Sequence, residues 1–143
     1  MAKAKTKPIK VQYLLAAIIA ISIIESALAG FGIIPPVLSY SPANLFFAFL
    51  RLSILVYAGL AYAPSGTARA AIMGGALFLA SSLTLCLSVF AAKGFATHPI
   101  LGVFVIEGEL PALCAIIVLE NALAGAAIAA AVAWLSQKKI FSK

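Results

Sequence analysis

The chain contains no aspartate, one histidine (His98) and two cysteines, Cys86 and Cys114, among its 143 residues. Its acids are Glu25, Glu107, Glu109 and Glu120 alone. These shortages exclude a good deal. No Cys-x-x-Cys occurs, so zinc and dithiol redox motifs are absent. A single histidine rules out bis-histidine haem ligation within the chain. There is no nucleophile elbow, no phosphate-binding loop and no paired set of metal ligands. The sequence therefore predicts no enzyme, no metal site and no cofactor.

Charge is the larger shortage. Charged residues make up 10% of the chain and hydrophobic ones 64%, whereas soluble domains carry about 25% charged residues. A soluble domain of this size could not cover so much apolar surface. The composition predicts an all-α integral membrane protein with one domain, because the apolar segments must pack into a single small bundle.

The net charge of +6 resembles a nucleic-acid signal until its placement is read. Lys3, Lys5, Lys7 and Lys10 precede the first apolar segment, Lys138, Lys139 and Lys143 follow the last, and Arg69 sits in the short middle connection. With four crossings these eight charges fall on one side, the positive-inside distribution. Topology and anionic lipid account for the basicity, and no nucleic-acid partner is expected.

Four spans are predicted, at 11–34, 44–63, 68–92 and 111–135, making a four-helix transmembrane domain over 11–135. A basic flank over 1–10 and a basic tail over 136–143 lie in the cytoplasm on this reading. The first span, 24 residues at about 1.5 Å each, crosses a hydrocarbon core of about 30 Å and meets Pro35-Pro36. Its lysine-rich start and Ala27-Leu28-Ala29 imitate a cleavable signal peptide, but Phe31 to Leu38 continues apolar and argues for a retained span. Ala63-Pro64-Ser65-Gly66-Thr67 is a tight turn. Residues 93–110 form the longest connection, with an unusually apolar middle from Pro99 to Ile106.

Small residues recur every four positions: Ser22, Ser26 and Gly30; Ala71 and Gly75; Asn121, Gly125, Ala129 and Ala133. Lipid gives no hydrophobic drive between helices, so close backbone approach along such ridges is what joins them.

The candidate site is the charge inside the spans. Glu25-Ser26-Ala27-Leu28-Ala29-Gly30 returns as Glu120-Asn121-Ala122-Leu123-Ala124-Gly125, the two copies running in opposite directions across the membrane. On the predicted spans, Glu25 and Glu120 each fall about 14 Å from the outer end and Arg51 about 10 Å from it. Three ionisable groups at one depth, with Asn121 beside them, form a candidate intramembrane cluster. Opposite charges in hydrocarbon pair. Two acids and one arginine leave a surplus carboxyl, and one that gains or loses a proton while exchanging partners is the working part of a proton-coupled carrier. The competing reading is a static Glu–Arg clip that fixes helix register.

Weaker candidates sit towards the outer side. His98, Glu107 and Glu109 could bind a cation or sense external pH, although acids ahead of a helix also suit its dipole. Cys86 and Cys114 could bridge the third and fourth spans on an oxidising side; buried free thiols are the other reading.

Leu60-Ala61-Tyr62-Ala63-Pro64-Ser65-Gly66 resembles the connection between the second and third helices of the small multidrug resistance transporters, and Gly74-Gly75 is similar to the glycines of their third helix. The resemblance implies a four-helix protein acting as a dimer, with Glu25 in the place of that family's first-helix glutamate. The sequence departs from the family at Ile72 and Arg69, where a tryptophan and a tyrosine are expected, in its long third connection, and in Glu120, which has no counterpart there.

Two functions follow as expectations. The first is a homo-oligomeric carrier or channel for a cation or proton-coupled small solute in the plasma membrane. The second is a non-catalytic accessory subunit of a larger membrane complex.

Overall fold

The computed structural model describes residues 10–39, 41–92, 96–101 and 109–141, without the side chains of 139–141. Helices account for its regular structure: α1 (Val11–Gly30), α2 (Pro42–Tyr62), a one-turn 3-10 segment (Ala63–Ser65), α3 (Thr67–Ala91) and α4 (Leu110–Phe141). No strand occurs among the described residues. All four α-helices are long and apolar enough to cross a membrane. Lys3, Lys5, Lys7, Tyr40, Glu107 and Lys143 lie outside the described residues, as does the stretch 102–106 of the third connection.

The helix ends follow local chemistry. α1 finishes at Gly30, four residues before the expected Ile34, and the backbone supplies the reason. Gly32 takes φ +70, its N–H donates to the Ala29 carbonyl at 2.9 Å, and the Ile33 N–H reaches back to Leu28 at 2.9 Å. That pair of bonds is a Schellman closure, for which the left-handed residue is usually glycine. It stops the helix before Pro35-Pro36 can.

α2 starts two residues earlier than the pattern suggests, because Ser41 caps it by accepting from the Asn44 N–H at 3.2 Å, with Pro42 in the first turn. α4 runs past Leu135 to Phe141. Ser136, Gln137 and the lysines include no glycine or proline to break it. Its 32 residues make a rod of about 48 Å.

The helices run up-down-up-down. Cys86 near the end of α3 meets Cys114 near the start of α4, and the Gln137 side chain near the end of α4 donates to the Ala63 carbonyl in the α2–α3 turn at 2.6 Å. Both ends of the helical chain thus lie at the end of the bundle that holds this turn. At the opposite end the Thr97 and His98 N–H groups donate to the Gly30 carbonyl, and the Val37 N–H donates to Ile100.

Packing is led by α3 on α4, with α1 against α2 and α3, and α2 against both α3 and α4. The backbones of α1 and α4 do not come close among the described residues. The α3–α4 crossing is close because it is made of glycine: a Cβ built on Gly74 would strike the Gly125 carbonyl oxygen, and one on Gly125 would lie 2.7 Å from the Phe78 Cβ. Leu14, Ile18, Leu55, Ala58 and Leu77 form the largest buried cluster. Ile72, Phe49 and Leu87 point outward with more than half of their surface free, so the bundle is apolar on the outside as well.

Candidate functional site

The charged pair is built from facing turns of α1 and α2. Glu25 is fully buried, and the Arg51 Nη2 donates to its Oε2 in an ion pair. α1 supplies a second acceptor one turn back, the Ser22 hydroxyl, at 3.5 Å from the same nitrogen. Ser22 donates to the Ile18 carbonyl at 2.9 Å, so its oxygen is left to accept, and Ser81 of α3 lies 2.8 Å away as donor. Ser26 donates to the Ser22 carbonyl at 2.8 Å. Glu25, Arg51, Ser22 and Ser81 thus tie three helices together. The Arg51 Nε is buried with no partner among the described residues.

Ser81 is the member that sequence reasoning missed, and Ser22 entered it only as a small packing residue. A hydroxyl in an apolar span near the depth of an arginine is the signal that finds both.

Glu120 stands elsewhere. It is exposed on α4, a helix whose backbone does not come close to α1 among the described residues, and no described side chain pairs with it. Asn121 is half-buried and spends its Nδ2 on the Ile117 carbonyl at 2.8 Å. The structure therefore brings Glu25 and Arg51 together and leaves Glu120 and Asn121 apart from them.

Helix geometry accounts for the separation. Gly125, Ala129 and Ala133 of the small-residue ridge are buried, and Glu120 stands one residue, about 100°, off the line they share with Asn121. Glu25 is equally one residue off the ridge of Ser22, Ser26 and Gly30, but there the offset turns it towards α2 and Arg51. One repeated string has two environments.

A groove of about 280 Å³ lies between the last turns of α1 and α3, lined by Ile23, Ser26, Gly30, Ser88 and Ile100 among others and by neither Glu25 nor Arg51. Its two hydroxyls are already engaged with their own helices. The wall offers little to bind a charged solute.

At the same end His98 is exposed, its Nδ1 3.0 Å from the Thr97 hydroxyl, and its ring covers Gly32. Glu109 is exposed at the start of α4. No grouping of His, Cys or Glu that could hold a metal occurs among the described residues. Cys86 and Cys114 are buried, unbridged thiols, and the Cys86 Sγ lies 4.0 Å from the Cys114 carbonyl oxygen.

No protein-family model matches the chain, and neither a curated protein nor a solved structure matches it.

Proposed function

We propose that this protein is an integral membrane subunit, a four-helix bundle that packs into a larger membrane complex and performs no catalysis of its own. One observation carries the reading: the third intramembrane charge, Glu120, is exposed on α4 and apart from the closed Glu25–Arg51 pair. A charge facing lipid at the centre of a span costs about 2.5–3.5 kcal/mol even on the lenient insertion scale, and less towards the span's ends. Assembly removes it from lipid. Within the chain, Glu25 and Arg51 act as a clip that sets the register of α1, α2 and α3.

The topology proposed is both termini in the cytoplasm, in the cell membrane. Lys10, Arg69 and Lys138 support it, since all three belong to the end of the bundle that carries the termini. Lys138 rests 3.9 Å above the Trp134 ring, the kind of aromatic anchor found at a membrane interface.

The second reading is a homo-oligomeric carrier for a cation or proton-coupled solute. It is favoured by the polar relay through Ser81, Ser22 and Arg51 to Glu25. Glu25 would release Arg51 to take a proton or solute cation.

Native mass spectrometry of protein mildly extracted from its own membrane separates the two. Different, larger subunits in stoichiometric complex support the subunit reading. A homo-oligomer whose pH-dependent flux in proteoliposomes is lost in Glu25→Gln supports the carrier and overturns it.

A further inference from the structure

We infer that the exposed face of α4 around Glu120 docks a membrane-spanning helix of a different protein, one that presents an arginine or lysine at the depth of Glu120. The inference rests on the subunit reading and names the chemistry of the partner.

α4 is the least covered helix: 17% of its most apolar window is buried in the bundle, against 39% for α1 and α3. Its free face carries Ile116, Leu119 and Leu123, each more than half exposed, around Glu120. Towards the tail the face flattens to Ala124, Ala127 and Ala131, all exposed, which lets another backbone come close. Glu120 lies ten residues into α4 and eighteen before Lys138, about 15 Å and 27 Å along the axis. With Trp134 at the inner interface, fourteen residues or about 21 Å along the axis from Glu120, a hydrocarbon core of about 30 Å holds the acid roughly 9 Å inside its outer edge.

Charge complementarity selects the occupant. A carboxylate at that depth is answered by a cation. Among the described residues the one basic side chain away from the helix ends is Arg51, nine residues into α2 and about 14 Å along it, close to the level of Glu120. It is held by Glu25, and its side chain is only 11% exposed. A second copy of this chain docked face to face would bring Glu120 against Glu120 and could offer Arg51 only by breaking the buried pair. The partner must bring its own cation.

The test uses the full-length protein, donor-labelled in phosphatidylcholine vesicles, and acceptor-labelled synthetic Leu/Ala spanning helices with an Arg, Lys or Leu placed at the depth of Glu120. Energy transfer reports association. The Arg and Lys helices should bind about tenfold more tightly than the Leu helix, the scale of polar pairs between model membrane helices, and Glu120→Leu should remove the preference. Equal binding of all three helices overturns the inference. So does association of a second labelled copy that Glu120→Leu weakens.

Native mass spectrometry of Glu120→Leu extracted from the native membrane keeps the two claims apart. Loss of a larger partner seen with the wild type supports both. A partner retained in full overturns the docking face and leaves the subunit reading standing. If the wild type has no foreign subunit to lose, the subunit reading itself fails.

Discussion

Arg51 reaches across from α2 to Glu25 on α1, and the acid it meets is sealed from solvent. Ser22 and Ser81 lengthen that contact into α3. Two consequences follow: the pair is a fixed part of the bundle, and either member alone is a liability.

Removing one partner of a buried ion pair leaves an unpaired group and costs about 3–5 kcal/mol, whereas replacing both by apolar side chains is often close to neutral. Arg51→Leu should therefore lower stability strongly, and Glu25→Leu with Arg51→Leu should recover most of the loss. Unfolding by SDS titration, followed by circular dichroism in mixed micelles, measures both. Losses that simply add in the double variant would mean that the two groups do not interact.

The α3–α4 crossing depends on the missing side chain of Gly74. A methyl there would strike the Gly125 carbonyl, and one on neighbouring Gly75 would sit 3.3 Å from the Ala122 carbonyl oxygen. Overpacking of this kind costs about 1–3 kcal/mol. Gly74→Ala should destabilise by that amount and Gly75→Ala by clearly less, in the same SDS titration. Equal effects would show that the crossing yields as a whole.

These two contacts also mark how far the sequence could be read. Four apolar runs with Pro and Gly between them announced the four helices, and Ser22, Gly125 and Ala129 lay on ridges visible as a four-residue repeat. Depth was legible only in part. Glu120 lies about 15 Å into α4 against an expected distance of about 14 Å. Glu25, however, lies five residues, about 7.5 Å, from the end of α1, half the expected distance, because the helix stops at Gly30. Azimuth was not legible at all. Which way a residue faces depends on where neighbouring helices stand, and an apolar outer surface removes the polar stripe that would mark the free face of a soluble helix. Glu120 therefore looked like a third member of the pair, although α4 is the helix that stands away from α1. The end of α1 escaped for a different reason: Pro35-Pro36 is a louder stop than Gly32, but the chain reaches the glycine first.

Gly32 combines two requirements that substitution can separate. Its φ of +70 costs an L-residue about 1–2 kcal/mol, and a Cβ there would lie 2.6 Å from the His98 ring. Gly32→Ala should destabilise through both effects. Adding His98→Ala should restore only the steric part, leaving roughly 1 kcal/mol of backbone strain. Differential scanning fluorimetry of the two single variants and the double variant reads this. Full recovery would mean that the backbone can leave the left-handed region without penalty.

The proposed topology places the Ala63–Ser65 turn and the loop between α1 and α2 on opposite sides of the membrane. Ser65 and Leu38 are both exposed and serve as reporters. The native thiols Cys86 and Cys114 are first replaced by alanine, because a buried thiol can still label slowly on local opening. In that background Leu38→Cys should react with a membrane-impermeant maleimide added to intact cells. Ser65→Cys should stay unlabelled until the membrane is opened. The reverse pattern would place the termini outside and set Lys10, Arg69 and Lys138 against the positive-inside bias. Labelling of both from outside in sealed cells would remove the four-span arrangement altogether, since α2 would then have both of its ends on one side.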